Sequence, residues 1–130
     1  MSGIEIPRPE WPKFLDDFSR KYKEWLTTVE QHGADSGALG ENQELPLEGM
    51  TINLKGKEEA LSLVLKKPEL PQGHLLHSIE GVTSITLEES HNAGDKILYI
   101  RSADGRITVI RFRRMVVPVR VPNPGSSIQP

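Results

Sequence analysis

One stretch of this chain spaces its apolar residues for a helix. Trp11, Phe14, Leu15, Phe18 and Tyr22 fall at i, i+3, i+4, i+7 and i+11, with Asp16, Asp17, Arg20 and Lys21 between them. The spacing predicts an amphipathic helix of about three turns. Pro9 and Pro12 fit a helix only in its first turn, where amide hydrogens have no intrahelical acceptor, so the helix starts near residues 9–12. After it the period changes from 3.6 to 2. A lone amphipathic helix followed by short alternating segments buries its apolar stripe against a sheet. The expected architecture is α+β: an N-terminal helix packed on one face of a five- or six-stranded antiparallel sheet, mostly a meander, with an extended C-terminal arm.

The strands are read from alternation and turn residues. Residues 24–31 (EWLTTVEQ) are rich in β-branched and aromatic side chains, as strands are. Residues 33–44 (GADSGALGENQE) read as a polar loop. Residues 45–54 read as a strand with a bulge at Gly49. Lys55-Gly56-Lys57 turns the chain into residues 60–66, where Leu61, Leu63 and Leu65 share a face, and the two strands form a hairpin. A loop over 68–73 leads to a weakly alternating strand over 78–88, and residues 90–95 (SHNAGD) form a turn cluster.

The strongest local signal is Lys96 to Ser102 (KILYIRS) and Arg106 to Arg113 (RITVIRFR) around Ala103-Asp104-Gly105. A three-residue loop, a type I turn with Gly105 left-handed in a bulge, sets Leu98 opposite Ile110, Tyr99 opposite Val109 and Ile100 opposite Thr108. One face then carries Leu98, Ile100, Ile110 and Phe112 and buries against the helix. The other carries Ile97, Tyr99, Arg101, Ile107, Val109, Arg111 and Arg113. Either arginine stems cover its apolar residues or a partner does.

At 130 residues, with 36% hydrophobic and 26% charged residues, the chain supports one modest core. The expected divisions are an N-terminal extension over 1–8, a single domain over 9–114, an edge strand or arm over 115–121, where Pro118 confines pairing to one side, and a disordered tail over 122–130. There is no cysteine, hence no disulfide and no thiol chemistry. Met1 to Pro7 has no apolar signal core, and no segment approaches the ~18 apolar residues of a bilayer span. The expectation is a cytoplasmic protein with no membrane attachment.

The segments IPRPEWPKFLDDFSRKYKEWLTTVE, ELPLEGM and IRSADGRITVIRFR resemble, in the same order, a family of small bacterial domains of unknown function. The resemblance spans about Glu5 to Arg113. It implies a bacterial cytoplasmic protein and carries over no activity, substrate or catalytic residue.

Candidate chemistry is sparse. His74 and His77, with His91 or Glu89 nearby, are the best metal candidates, but a strand points His74 and His77 to opposite faces and no helical H-E-x-x-H supports them. They read as loop histidines, and no metal or cofactor is implied. Asp16-Asp17, Glu58-Glu59 and Glu88-Glu89 are adjacent in sequence, which says nothing about separation across a cleft. No nucleophile elbow, phosphate loop or dinucleotide fingerprint occurs.

Charge is divided along the chain. Residues 1–95 hold 9 Lys and Arg against 17 Asp and Glu, a net of −8, and residues 96–130 hold 7 against 1, a net of +6. Two oppositely charged parts of one domain facing each other or the solvent explain this more simply than an anionic partner does. The reading is therefore a non-enzymatic protein-interaction domain, binding a protein partner or a second copy through Tyr99, Arg101, Val109, Arg111 and Arg113. The alternatives are nucleic-acid binding through Tyr99, Arg101, Arg111 and Arg113, disfavoured by the overall negative charge, and an enzyme whose site has no local motif.

Overall fold

A computed structural model describes residues 3–33, 39–54, 60–89 and 94–114. Among them the elements are β1 (Ile4–Glu5), a 3-10 turn (Arg8–Glu10), α1 (Trp11–Lys21), β2 (Leu26–His32), β3 (Leu39–Asn53), β4 (Ala60–Lys66), β5 (His74–Glu80), β6 (Val82–Glu89), β7 (Lys96–Ser102) and β8 (Ile107–Arg113). The strands form one sheet in the order β1-β6-β7-β8-β2-β3-β4-β5, and every pair is antiparallel. The α+β class is as expected, with eight strands instead of five or six. The arm over 115–121, the tail beyond it, and the 55–57 turn lie outside the described residues.

The helix starts at Trp11 with Pro12 in its first turn. Its apolar stripe goes inward: Trp11, Leu15, Phe18 and Tyr22 are buried. Lys13 with Asp17 and Arg20 with Asp16 form exposed i,i+4 ion pairs at 2.9 and 2.8 Å, each worth a few tenths of a kcal/mol. The Trp11 indole Nε1 donates to the Ile6 carbonyl at 2.8 Å, and the Ile6 amide donates to the Ile85 carbonyl at 2.8 Å. The segment before the helix is thereby tied to β6, beside which β1 pairs through Ile4 and Glu5.

Two strands correct the sequence reading. The stretch read as one strand over 78–88 is two, β5 and β6, broken at Gly81, whose φ of 68° suits glycine. The polar loop over 33–44 gives way to β3 at Leu39, whose first residues pair with β2 in the register Gln31↔Leu39 and Glu30↔Gly40; main-chain pairing there needs no apolar alternation. At Gly49 the expected bulge is present as a register shift between Leu47 and Gly49. The extra residue reverses strand parity, so that Leu45 and Leu47 before it and Met50 after it all reach the core.

Gly81 also dictates the overall curl. β5 is the last strand in the sheet order and β6 the second, yet one residue joins them, and a residue spans at most about 3.6 Å. The sheet must therefore fold over until the end of β5 reaches the start of β6. Its inner faces then share one core, in which Leu61, Leu63 and Leu65 of β4 lie in the same buried cluster as Ile85, Leu98, Ile100, Ile110 and Phe112. The helix covers part of this core, with the Phe18 and Phe112 rings edge-on at 5.0 Å.

Candidate functional site

The β7–β8 hairpin has the expected register, Leu98↔Ile110, Tyr99↔Val109 and Ile100↔Thr108. The Gly105 amide donates to the Ser102 carbonyl and the Ser102 amide to the Arg106 carbonyl, both at 3.0 Å, while Gly105 sits at φ 93°. This is the turn-plus-bulge read from the sequence. Leu98, Ile100, Ile110 and Phe112 are fully buried.

The opposite face gathers the five predicted site residues with groups from flanking strands. In one row Glu30 of β2, Val109, Tyr99 and Thr86 of β6 lie side by side; in the next are Thr28, Arg111, Ile97 and Glu88. Val109 is only 7% exposed although it lies on the face opposite Ile110 and Phe112. The Tyr99 hydroxyl donates to Glu88 Oε1 at 2.9 Å. This bond, then burial and the Glu88 charge, raise the phenol pKa above its ordinary value, against the opposing pull of Arg111. Arg113 grips Glu44 with two donors, Nε to one carboxylate oxygen and Nη2 to the other at 2.6 Å. Arg101 and Arg111 are exposed and form no ion pair among the described residues.

The basic C-terminal third is therefore answered by acids from earlier strands. Glu30, Glu44 and Glu88 stand among Arg101, Arg111 and Arg113, and Glu89 pairs with Lys96 at 3.3 Å. Glu44 was not identifiable as a partner from sequence, because it lies 69 residues from Arg113.

The Arg113 hydrogen bonds hold the Glu44 carboxyl below its ordinary pKa, outweighing a small opposing effect of burial. A carboxyl depressed by folding adds stability above its unfolded pKa and loses it as pH falls through the folded value. Glu44→Gln is thus expected to be less stable than the native chain at neutral pH. The gap should close in acid, below the ordinary glutamate range. Paired denaturant titrations across pH check this; a gap that persists at the acid end removes the ion pair from the account.

The remaining candidates disperse. His74 and His77 are on β5, not in a loop as expected; His74 is exposed and His77 half-buried, on opposite faces as strand alternation requires. No cluster of metal-ligating side chains occurs among the described residues, and His91, Glu58 and Glu59 lie outside them. Asp16 and Asp17 are engaged in the helix ion pairs above.

A second feature is the edge of the sheet at β5. Its seven residues pair with β4 in unbroken register from Ala60↔Glu80 to Lys66↔His74, and among the described residues no strand flanks its other side. Leu76 on this edge is 61% exposed. The signal for this strand was present in the alternation of Leu75, His77 and Ile79, hidden by reading the histidines as loop residues.

A family model, described as a family of unknown function (DUF5335), matches residues 2–121. The chain belongs to DUF5335. The match bears out the resemblance carried by the helix, the ELPLEGM segment and the β7–β8 hairpin, and it takes in both the arginine-bearing face and the β5 edge. Comparison with curated proteins and with solved structures found no match. What a DUF5335 domain does has to be argued from its surfaces.

Proposed function

We propose that this chain is a non-enzymatic interaction domain whose docking element is the edge of β5 that no other described strand flanks, and that its occupant is β5 of a second copy, paired antiparallel. The observation that carries this is the composition of the edge. Exposed edge strands are ordinarily blunted by shortness, proline, lysine or a bulge. β1, at the other end of the sheet order, is two residues long. β5 has seven residues, HLLHSIE, with none of these devices.

The strand is also complementary to itself. With the twofold axis at His77, His74 meets Glu80 of the copy, Leu75 meets Ile79 and Leu76 meets Ser78, so an imidazole opposes a carboxylate and aliphatic opposes aliphatic. Pairing over one strand buries less than the roughly 1,600 Å² of a standard interface, so the dimer is expected to be concentration-dependent. Main-chain hydrogen bonds supply the affinity and alternate side chains the register.

Sedimentation equilibrium tests this. The native chain is expected to dimerise and Leu76→Lys to be monomeric at the same concentration. Thermal stability of the isolated subunit should be nearly unchanged, because an exposed substitution costs within about 0.5 kcal/mol. A native chain that stays monomeric throughout rejects the proposal.

The face bearing Tyr99, Arg101, Val109, Arg111 and Arg113 is the second reading, favoured by Arg101 and Arg111 standing without ion pairs among the described residues. Association that survives Leu76→Lys and is lost in Arg111→Ala would place the interface there. A polyanion meets three glutamates among those arginines, which argues against nucleic acid as the ligand.

A further inference from the structure

Two clefts run end to end along one flank of α1. One, of about 250 Å³, lies between the second half of the helix and β6, with Phe14, Phe18, Tyr22 and Leu87 as apolar walls and Lys21 and Glu89 at its rim. The other, of about 420 Å³, shares Phe14 and Asp17 with the first and continues to Pro9 and Glu10. Phe14 and Leu87 are only half-buried, packed against the edge of the core. Ile4 stands directly across from Leu87 in the β1–β6 ladder, so the two side chains share a face, and Ile4 is 61% exposed. An apolar strip of this kind marks a surface that something covers.

The chain itself supplies a cover. Arg114 is the last residue described, and the sequence then runs MVVPVRV over 115–121, apolar throughout except for Pro118 and Arg120. The family match also ends at residue 121, so this run belongs to the DUF5335 domain and residues 122–130 fall outside it.

Place and length agree. Glu89, Lys96 and Phe112 stand in one row across β6, β7 and β8, and Lys96 Nζ lies 5.8 Å from the centre of the Tyr22 ring. β8 therefore ends on the same side of the fold as the helix C-terminus and Glu89, two strand spacings, or about 10 Å, from the first cleft. From Tyr22 back to Lys13 the helix rises about 14 Å. Together these match the ~23 Å that seven extended residues cover. Pro118 suits this path, since it lacks the amide donor of a strand ladder and an apolar cleft asks for none. The single cation suits it as well: Glu10, Asp17 and Glu89 border the clefts against Lys13 and Lys21. We infer that residues 115–121 dock on their own chain, running antiparallel to α1 in these clefts, with Val119 and Val121 beside Phe14. The inference is independent of self-pairing through β5.

A spin label tests this, because the chain has no native cysteine to react. Asn123→Cys places the label just past the docked run. In the nitrogen-labelled full chain, the amide signals of Glu10, Lys13 and Phe14 are expected to lose more intensity than those of Leu26 and Lys96, which pair with the last residues of β8. Val119→Asp combined with Val121→Asp should reverse that order and lower the melting temperature by about 5 °C, the shift a modest loss of stability produces in a small domain. Losses centred on Leu26 and Lys96 without the double substitution, or a melting temperature indifferent to it, overturn the inference. So do losses at Glu10 and Lys13 that arise only between spin-labelled and nitrogen-labelled copies in a mixture, which would assign the clefts to the segment of a second copy.

Discussion

Phe18→Ala is expected to lower the folding free energy by about 3–5 kcal/mol, the range for deleting a buried aromatic side chain. Phe18 is 5% exposed and lies among three other rings, with centroids 5.5 Å from Phe14, 4.5 Å from Tyr22 and 5.0 Å from Phe112. Each such pair adds roughly 0.5–1.5 kcal/mol beyond the area it buries. A domain of this size has about 5–15 kcal/mol in total, so the loss is a large fraction of what holds it folded. Denaturant unfolding followed by circular dichroism measures it. A second expectation is specific to the arrangement: Phe18→Ala and Phe112→Ala should be non-additive, since the two rings share one contact. An unchanged midpoint in Phe18→Ala would mean that the helix is not part of the core.

Trp11→Ala should be comparably damaging, by about 3–5 kcal/mol, for two separable reasons. The side chain is 2% exposed, among the largest fully buried groups, and its indole nitrogen is the donor that holds the Ile6 carbonyl. Trp11→Phe retains most of the apolar area and removes the donor, so about 1–3 kcal/mol of the effect should remain. Hydrogen exchange distinguishes the two contributions. The Ile6 amide, bonded to Ile85, should exchange faster in both variants, and central amides of β7 should be altered chiefly in Trp11→Ala. Equal stability of the native chain and Trp11→Phe would show that the indole bond contributes nothing.

What could be read in advance follows the range of the interaction that decides it. The helix was legible because five apolar residues recur on one stripe. The β7–β8 hairpin was legible because Ala103-Asp104-Gly105 specifies its own turn. The bulge at Gly49 had the same local character. The errors arise where distant residues decide. Residues 39–44 look like loop because their composition is polar, but β2 supplies their backbone partners. β5 was missed because His77 stands between Leu75 and Ile79, where a hydrophobic residue would have announced a strand. The arginines looked unpaired since Glu44 reaches Arg113 from across the sheet, and no local pattern marks that meeting. Thr108 was placed correctly in its ladder opposite Ile100, while Gln31 on its other side comes from a strand whose place in the sheet no local signal reports.

The placement of β2 bears on how the chain folds. β2, β3, β4 and β5 form one meander of sequence neighbours and β6, β7 and β8 another, and the two join where β2 lies beside β8, pairing Leu26 with Arg113. Hairpins within each meander close over short loops at little entropic cost; the β2–β8 seam must bring together segments from near opposite ends of the chain. That seam is expected to be the slow step. Until it forms, β8 and β2 each present an unpaired backbone edge, so the interval before closure is when the protein is most exposed to aggregation.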